Sequence, residues 1–285
     1  MLEETGIEAA QEAHGGEDPG SIVTEALHHL QDSNSLEFFG YHIDLPHLNL
    51  MGYDISITKH VVMMWVSALL LIAIFSLLAR KRVLAPKGTF VNFFETFVVF
   101  LRDEMVYKIM GEETGRRWLP FFLTQFFFIL FCNLLGLIPF GATSTGNLAV
   151  TASLALITLV LIQVGGMIEQ GFFTYWKHLV PSGIPLWLYP IMVPIELMGQ
   201  LTKPFALTIR LFANMTAGHI VMLSLFSLIF IFKGYGTSVA YIVSGPIVFF
   251  ALFINLLEIL VALIQAYIFT FLSTIFIGAA LHAEH

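Results

Sequence analysis

The sequence predicts an all-α, polytopic membrane protein with about five transmembrane helices, the last two long and tilted, plus one interfacial amphipathic helix. Three observations predict it. Of the 285 residues, 57% are hydrophobic and 12% charged, with a mean hydropathy of +0.83, whereas a soluble chain carries about 25% charged residues. No charged residue falls between Leu119 and Ile168, and a crossing needs only about 20 apolar residues. The charges that exist are segregated: eleven of the 20 acidic residues lie between Glu3 and Asp54, the first basic residue is Lys59, and eight of the 13 basic residues fall between Arg80 and Arg117.

Residues 1–58 form an acidic, polar segment with turn-prone pieces such as His14-Gly15-Gly16-Glu17-Asp18-Pro19-Gly20 and a short amphipathic patch over Ser21–Leu30. No basic stretch precedes a short apolar run, so no cleavable signal is read there. The first span runs from His60 to Leu78 and stops at Arg80-Lys81-Arg82. Basic residues just past a span favour the cytoplasmic side. The acidic N-terminus is therefore expected outside and residues 80–117 inside, with residues 59–285 as the helical membrane domain.

Phe90 to Met110 mixes five phenylalanines with Glu95, Arg102 and Asp103, which suits a helix lying in the interface rather than crossing it. The second span is expected over Pro120–Pro139 and the third over Leu148–Met167, returning inside at Tyr175-Trp176-Lys177. Two longer apolar segments follow, from Leu188 to Phe232 and from Ser238 to Leu281. At about 1.5 Å per residue each exceeds a core about 30 Å thick. Either each is one strongly tilted helix, or each folds back within the membrane. Counting the interfacial helix as the second, they are the fifth and sixth.

Only five charged residues lie between His178 and Ala283: Glu196, Lys203, Arg210, Lys233 and Glu258. Lys233 sits in the turn Phe232-Lys233-Gly234-Tyr235-Gly236 and reads as solvated. The others interrupt apolar segments, where a charge faces a bundle interior or water and is usually functional. Glu196, Lys203 and Arg210 recur every seven residues and share a helix face, and Asn214 follows one turn later. Arg210 keeps its proton where a lysine could lose it, which suits a fixed positive barrier. The lesser alternative is a structural ion pair with Glu258 or Glu196. His219 and Glu258 can carry protons, because histidine titrates near neutrality and burial pushes a glutamate toward that range. Gln265 follows Glu258 by seven residues on one stripe of the last helix.

His28-His29, His42, His47 and His60 are spaced irregularly among carboxylates and read as solvated rather than metal-binding. The single Cys132 excludes a disulfide framework. No GxxxxGK[ST] loop, HExxH motif or nucleophile–base arrangement is present. The chain therefore offers no site for ATP or covalent catalysis, and no cofactor, metal or nucleic acid is expected.

The run Lys203-Pro204-Phe205-Ala206-Leu207-Thr208-Ile209-Arg210-Leu211-Phe212-Ala213-Asn214-Met215-Thr216-Ala217-Gly218-His219 closely resembles the signature of subunit a of bacterial F-type ATP synthases. Asn255-Leu256-Leu257-Glu258, Gln265-Ala266-Tyr267 and Asn133-Leu134-Leu135-Gly136-Leu137-Ile138-Pro139 continue the resemblance, which covers about residues 60–281. It implies a multi-pass subunit of the bacterial plasma membrane, N-terminus extracytoplasmic and C-terminus cytoplasmic, and not itself an enzyme. It implies a stator channel beside a rotating ring of c subunits, joined to b-type peripheral stalk subunits and surrounded by lipid. Arg210 would match the essential arginine facing the ring carboxylates, Asn214 and Gln265 the polar residues near it. His219 and Glu258 would match the acid/histidine pair of the outer half-channel, and Glu196 a residue of the inner one. The first 58 residues depart from the family's usual short terminus.

Two other classes compete. A secondary transporter with a mid-membrane polar site should show inverted repeats, and no convincing repeat is found. A haem-binding electron carrier needs facing histidines, but only His219 lies deep in a span.

The basic cluster sets the first test. A reporter cysteine within residues 1–58 should be labelled from outside by an impermeant thiol reagent, and one at residue 85 only from inside. The reverse pattern would invert the expected topology.

Overall fold

A computed structural model describes residues 56–80, 88–138, 143–178, 186–234 and 236–281, together with the backbone of four short strands between residues 35 and 54. Its helices are α1 (Lys59–Arg80), α2 (Thr89–Phe100), α3 (Tyr107–Met110), α4 (Glu112–Gly136), α5 (Leu148–Gln170), α6 (Phe172–His178), α7 (Tyr189–Lys233) and α8 (Thr237–Leu281). Five of them, α1, α4, α5, α7 and α8, are long and apolar enough to cross a membrane, which is the number read from the sequence. Both C-terminal segments are single 45-residue helices that do not fold back, so each is about 67 Å long at 1.5 Å per residue.

The strands form two hairpins that the hydropathy pattern did not predict. Ser35–Phe38 pairs antiparallel with Tyr41–Asp44, and Asn49–Leu50 with Tyr53–Asp54. In the sequence, Phe39-Gly40 separates the first two runs and Met51-Gly52 the second two. An X-Gly pair between short extended runs is the sequence signal that was available. The amphipathic patch over Ser21–Leu30 lies outside the described residues.

The second span also begins earlier than its apolar stretch. Gly111, at φ +75°, ends α3 and starts α4, a conformation only glycine adopts freely. Glu112 and Glu113 then fill the first turn, where the helix dipole favours negative charge. Arg117 pairs with Glu113 at 3.6 Å and with Glu169 at 3.8 Å. The helix thus runs about two turns beyond the apolar stretch, on charges that satisfy one another.

The chain divides into two compact units. The larger comprises residues 34–215 and 259–285. Its core is aromatic: Phe75 packs edge-on against Phe127 at 4.9 Å between ring centroids and against Phe94 at 6.1 Å, and Phe126 meets Phe127 at 5.0 Å. Such pairs contribute about 0.5–1.5 kcal/mol each beyond their area. That matters because lipid removes most of the hydrophobic drive for helices to associate. Of the five spanning helices α4 is the most buried, with Leu207 and Leu211 of α7 and Ala266 and Phe269 of α8 in the same cluster.

Between α2 and α3 lies a π-helical turn, Leu101–Val106. Leu101 is buried, and the next buried positions are Met105, Val106 and Met110. An unbroken α-helix would continue from Leu101 to Met105 and then one residue short of Met110. The wider turn inserts the difference and leaves Asp103 and Glu104 exposed and Arg102 half-buried. The Phe90–Met110 stretch is thus the amphipathic segment read from the sequence, with one register shift.

Gln125 crosslinks three helices of this unit. Its amide nitrogen donates to Thr158 Oγ1 at 3.1 Å and to Ser273 Oγ at 3.3 Å. Both hydroxyls already donate, to the carbonyls of Leu154 and Phe269, so they can only accept here. Gln125 Oε1 is left buried without a partner among the described residues.

The smaller unit's described residues are Thr216–Glu258, a hairpin of the end of α7 and the start of α8. Gly236, at φ +125°, lies in its turn, and Lys233 beside it is exposed as expected. Ile247 and Ala251 are buried in it.

The Gln125 geometry makes a prediction that separates two kinds of polar loss. Gln125→Leu removes an orphaned acceptor, worth about 1–3 kcal/mol when left unpaired, and strands neither hydroxyl. It should therefore unfold in detergent within about 1 kcal/mol of wild type. Gln125→Glu buries a charge and should cost about 3 kcal/mol or more. Equal losses in thermal unfolding for the two variants would show that the donated bonds, not the orphan, dominate.

Candidate functional site

The buried side of α7 is a stripe at helical spacing: Pro204, Leu207, Thr208, Leu211 and Met215. Arg210 lies beside that stripe on the exposed side, next to Ile209 at 40% and one turn beyond Phe205 at 66% exposed. Ion pairs among the described residues fall within residues 102–117 and Glu169, and Arg210 is in none of them. Of the two ion pairs that the sequence left open, the one with Glu196 is not formed among the described residues. By contrast Asp103, held by two hydrogen bonds from Arg102 at 2.7 and 3.0 Å, sits below the usual carboxylate range.

One turn past Arg210, Asn214 donates its amide to Gln265 Oε1 at 2.8 Å. Gln265 is 2% exposed on α8 and Asn214 is exposed. Asn214, placed near Arg210 by spacing, and Gln265, placed there by the family resemblance, thus meet across α7 and α8, 51 residues apart in sequence. Gln265 approaches from a buried stripe whose hydroxyls, on Thr270, Ser273 and Thr274, all bond back to their own helix. Glu196, two heptads before Arg210, is half-buried on α7, as is Lys203, whose ammonium stands 5.1 Å over the Phe276 ring.

In the hairpin unit, His219 and Glu258 are both half-buried. The Glu258 carboxylate lies directly against Gly218, the residue before His219. Its Oε1 is buried and has no hydrogen-bond partner among the described residues. A Cβ at residue 218 would overlap Glu258 Oε1, so the carboxylate occupies this seat because residue 218 has no side chain.

One histidine departs from the expected pattern. His60, read as solvated, is buried at 5% exposure, with Nδ1 3.1 Å from the Thr143 carbonyl. The Ser144 hydroxyl donates to the His60 carbonyl at 3.1 Å. The reason is local: His60 opens α1, and the turn Ser144–Gly146 folds over that end. Among the described residues no group of three His, Cys, Asp or Glu is placed to hold a metal ion.

Sequence reasoning missed the polar side chains that join helices away from the signature, namely Gln125 and the set Gln163, Tyr175 and Gln200. Their signal was present, since an amide inside a run such as Val160-Leu161-Ile162-Gln163-Val164 must find a partner at membrane depth.

The family model for the ATP synthase A chain matches residues 61–278. ATP synthase subunit a 2 of Chlorobaculum tepidum is 50% identical over 279 residues, covering 95% of this chain and 76% of that protein. ATP synthase subunit a of Myxococcus xanthus is 52% identical over 244 residues, 85% of this chain and 78% of its own length. The subunit a of Chloroherpeton thalassium is 47% identical over 304 aligned positions, 99% of this chain and 87% of that one. The match spans the arginine helix, the polar contact to Gln265 and the carboxylate seated on Gly218 alike, and the chain belongs to the ATP synthase subunit a family.

Proposed function

We infer that this chain is the membrane-embedded stator and ion-channel subunit of a rotary ATP synthase, not itself catalytic, working against a ring of c subunits and held by b-type stalk subunits. The observation that carries the reading is Arg210, a permanent cation exposed on an apolar helix face and in no ion pair among the described residues. A charge in that setting requires a partner outside the chain, and a carboxylate on a passing rotor supplies one. At roughly 4 Å and an effective dielectric of about 20 their attraction is about 4 kcal/mol before desolvation. That attraction favours the ionised carboxylate, so the arriving group gives up its proton. The same charge repels a proton that would otherwise leak between the two half-channels.

The remaining residues divide between the two sides of that barrier. Glu196 serves the inner half-channel, where residues 80–117 face the cytoplasm. His219 and Glu258 serve the outer one, with the N-terminus outside and the C-terminus inside. Asn214 and Gln265, hydrogen-bonded to each other, hold the polar surface around Arg210. The seat of Glu258 against Gly218 supports this assignment, because it keeps a carboxylate with a free oxygen beside the histidine helix.

Two experiments test this. Arg210→Ala should abolish ion-driven ATP synthesis in membrane vesicles while nucleotide hydrolysis by the detached head survives, and Arg210→Lys should be badly impaired because a desolvated lysine can deprotonate. Normal coupled synthesis in the alanine variant would sink the barrier assignment.

The outer pair is tested by exchange. His219→Leu and Glu258→Gln should each slow ATP synthesis tenfold or more. The double exchange His219→Glu with Glu258→His should recover part of it, since two interacting titratable groups release protons as a pair. Gly218→Val, which evicts the carboxylate from its seat, should match the Glu258→Gln defect. Full rates in the single variants, or a double exchange no better than the product of the two single defects, would make the pair structural.

A further inference from the structure

Three polar side chains of the larger unit, joined by two hydrogen bonds, form an open ring that none of the roles above uses. The Tyr175 hydroxyl donates to Gln163 Oε1 at 2.9 Å, and Gln163 Nε2 donates to Gln200 Oε1 at 2.5 Å. Burial pushes the Tyr175 phenol above its ordinary range, and the Gln200 side chain pulls it part of the way back. One residue comes from each of α5, α6 and α7, so the ring ties three helices at a single point.

Tyr175 reaches that point because Gly166 leaves it room. A Cβ at residue 166 would stand 2.5 Å from Tyr175 Cε2, 2.8 Å from Cδ2 and 3.2 Å from the Ala280 carbonyl oxygen. Phe172, Phe173, Thr174 and Trp176 of α6 are exposed, Phe173 at 86%, whereas Tyr175 is 6% exposed. A seven-residue helix has no stability of its own, so it stands where Tyr175 fastens it.

The same bonds act on α7. Gln200 is one turn past Glu196 and three residues before Lys203, so the three share a strip of helix surface. Lys203 is held at the other end of that strip by Phe276 of α8. Amide hydrogen bonds are directional and apolar packing is not, so these bonds restrain rotation of this third of α7 about its axis.

We propose that Tyr175, Gln163 and Gln200 are positioning residues of the ion path, a hydrogen-bonded ring that fixes the rotation of the first third of α7 and thereby holds Glu196 and Lys203 toward the access route. This rests on the reading that Glu196 lines such a route. The ring touches no translocated ion; it acts through Glu196.

The test uses vesicles carrying the full complex, stripped of the catalytic head, with passive proton conductance as the readout and the amount of assembled complex measured alongside. Tyr175→Phe keeps the aromatic ring in the Gly166 notch and removes only the hydroxyl. It, Gln163→Leu and Gln200→Leu should each lower conductance three- to tenfold with assembled complex unchanged. The double variant Tyr175→Phe with Gln163→Leu should be no worse than its worse parent, because the ring acts as a unit. A second readout follows the helix itself. In a Cys132→Ala background, a cysteine at residue 199, where a Cβ meets nothing within 4 Å, should change its rate of labelling by a water-soluble thiol reagent at least threefold when the ring is broken. Wild-type conductance in the three variants alongside an impaired Glu196→Gln would overturn the ring's role and leave the access route standing. Normal conductance in Glu196→Gln would overturn the route itself. Loss of assembled complex in all three ring variants would make the ring a folding element and overturn the proposal too.

Discussion

An arginine side chain keeps its charge in any surroundings a protein can offer, and this molecule carries one on the exposed, apolar side of a helix long enough to cross a bilayer. Much of the larger unit can be understood as the means of keeping that residue in place. The stripe Pro204, Leu207, Thr208, Leu211 and Met215 buries the opposite side of α7. The Asn214–Gln265 bond fixes its register against α8 one turn further on. Thr208 spends its hydroxyl on the Pro204 carbonyl, within the helix, and so makes no demand on Arg210. A charge that cannot be neutralised is held by neighbours that are already satisfied.

The same economy governs the other polar groups. Ser67, Thr158, Thr208, Thr270, Ser273 and Thr274 all donate to a carbonyl four residues back. In hydrocarbon an unpaired donor is expensive, and the back-bond removes it while leaving a lone pair free. Gln125 exploits two of those lone pairs at once. Helix contacts here combine aromatic edges with amides meeting pre-satisfied hydroxyls, which gives directionality to packing that lipid does not enforce.

Most of the fold was legible because membrane insertion writes in length and charge. The five spans, the interfacial stretch of Phe90–Met110 and the uninterrupted helices after Leu188 follow from runs of apolar residues and the places where charges stop them. The early start of α4 was not legible, because Arg116 and Arg117 look like a boundary until Glu113 and Glu169 are seen to pair with Arg117. The buried state of His60 was hidden for a similar reason: its partner is a backbone carbonyl 83 residues away. Within the site, spacing put Asn214 one turn from Arg210 and Gln265 on one stripe with Glu258, since i, i+4 and i, i+7 relations survive any tertiary arrangement; that Gln265 comes near Arg210 followed only from the family resemblance. What no spacing reveals is a glycine that serves as a seat, as Gly218 does for Glu258, or a tyrosine on a short helix that bonds one distant amide and, through it, a second.

The π turn at Leu101–Val106 has a consequence for how this segment is measured out. Before the turn, Phe94 grips the aromatic cluster of Phe75 and Phe127; after it, Ile109 and Met110 rest against Gly278 near the end of α8. The segment is therefore a strap between two anchorages, and the turn is its adjustment hole. One residue more or less shifts the second grip by about 100° of helix rotation and about 1.5 Å of rise without touching the first. The distance between the anchorages is recorded in the number of residues rather than in their chemistry, so the count across the turn constrains the strap more than the identities of the exposed Asp103 and Glu104 do.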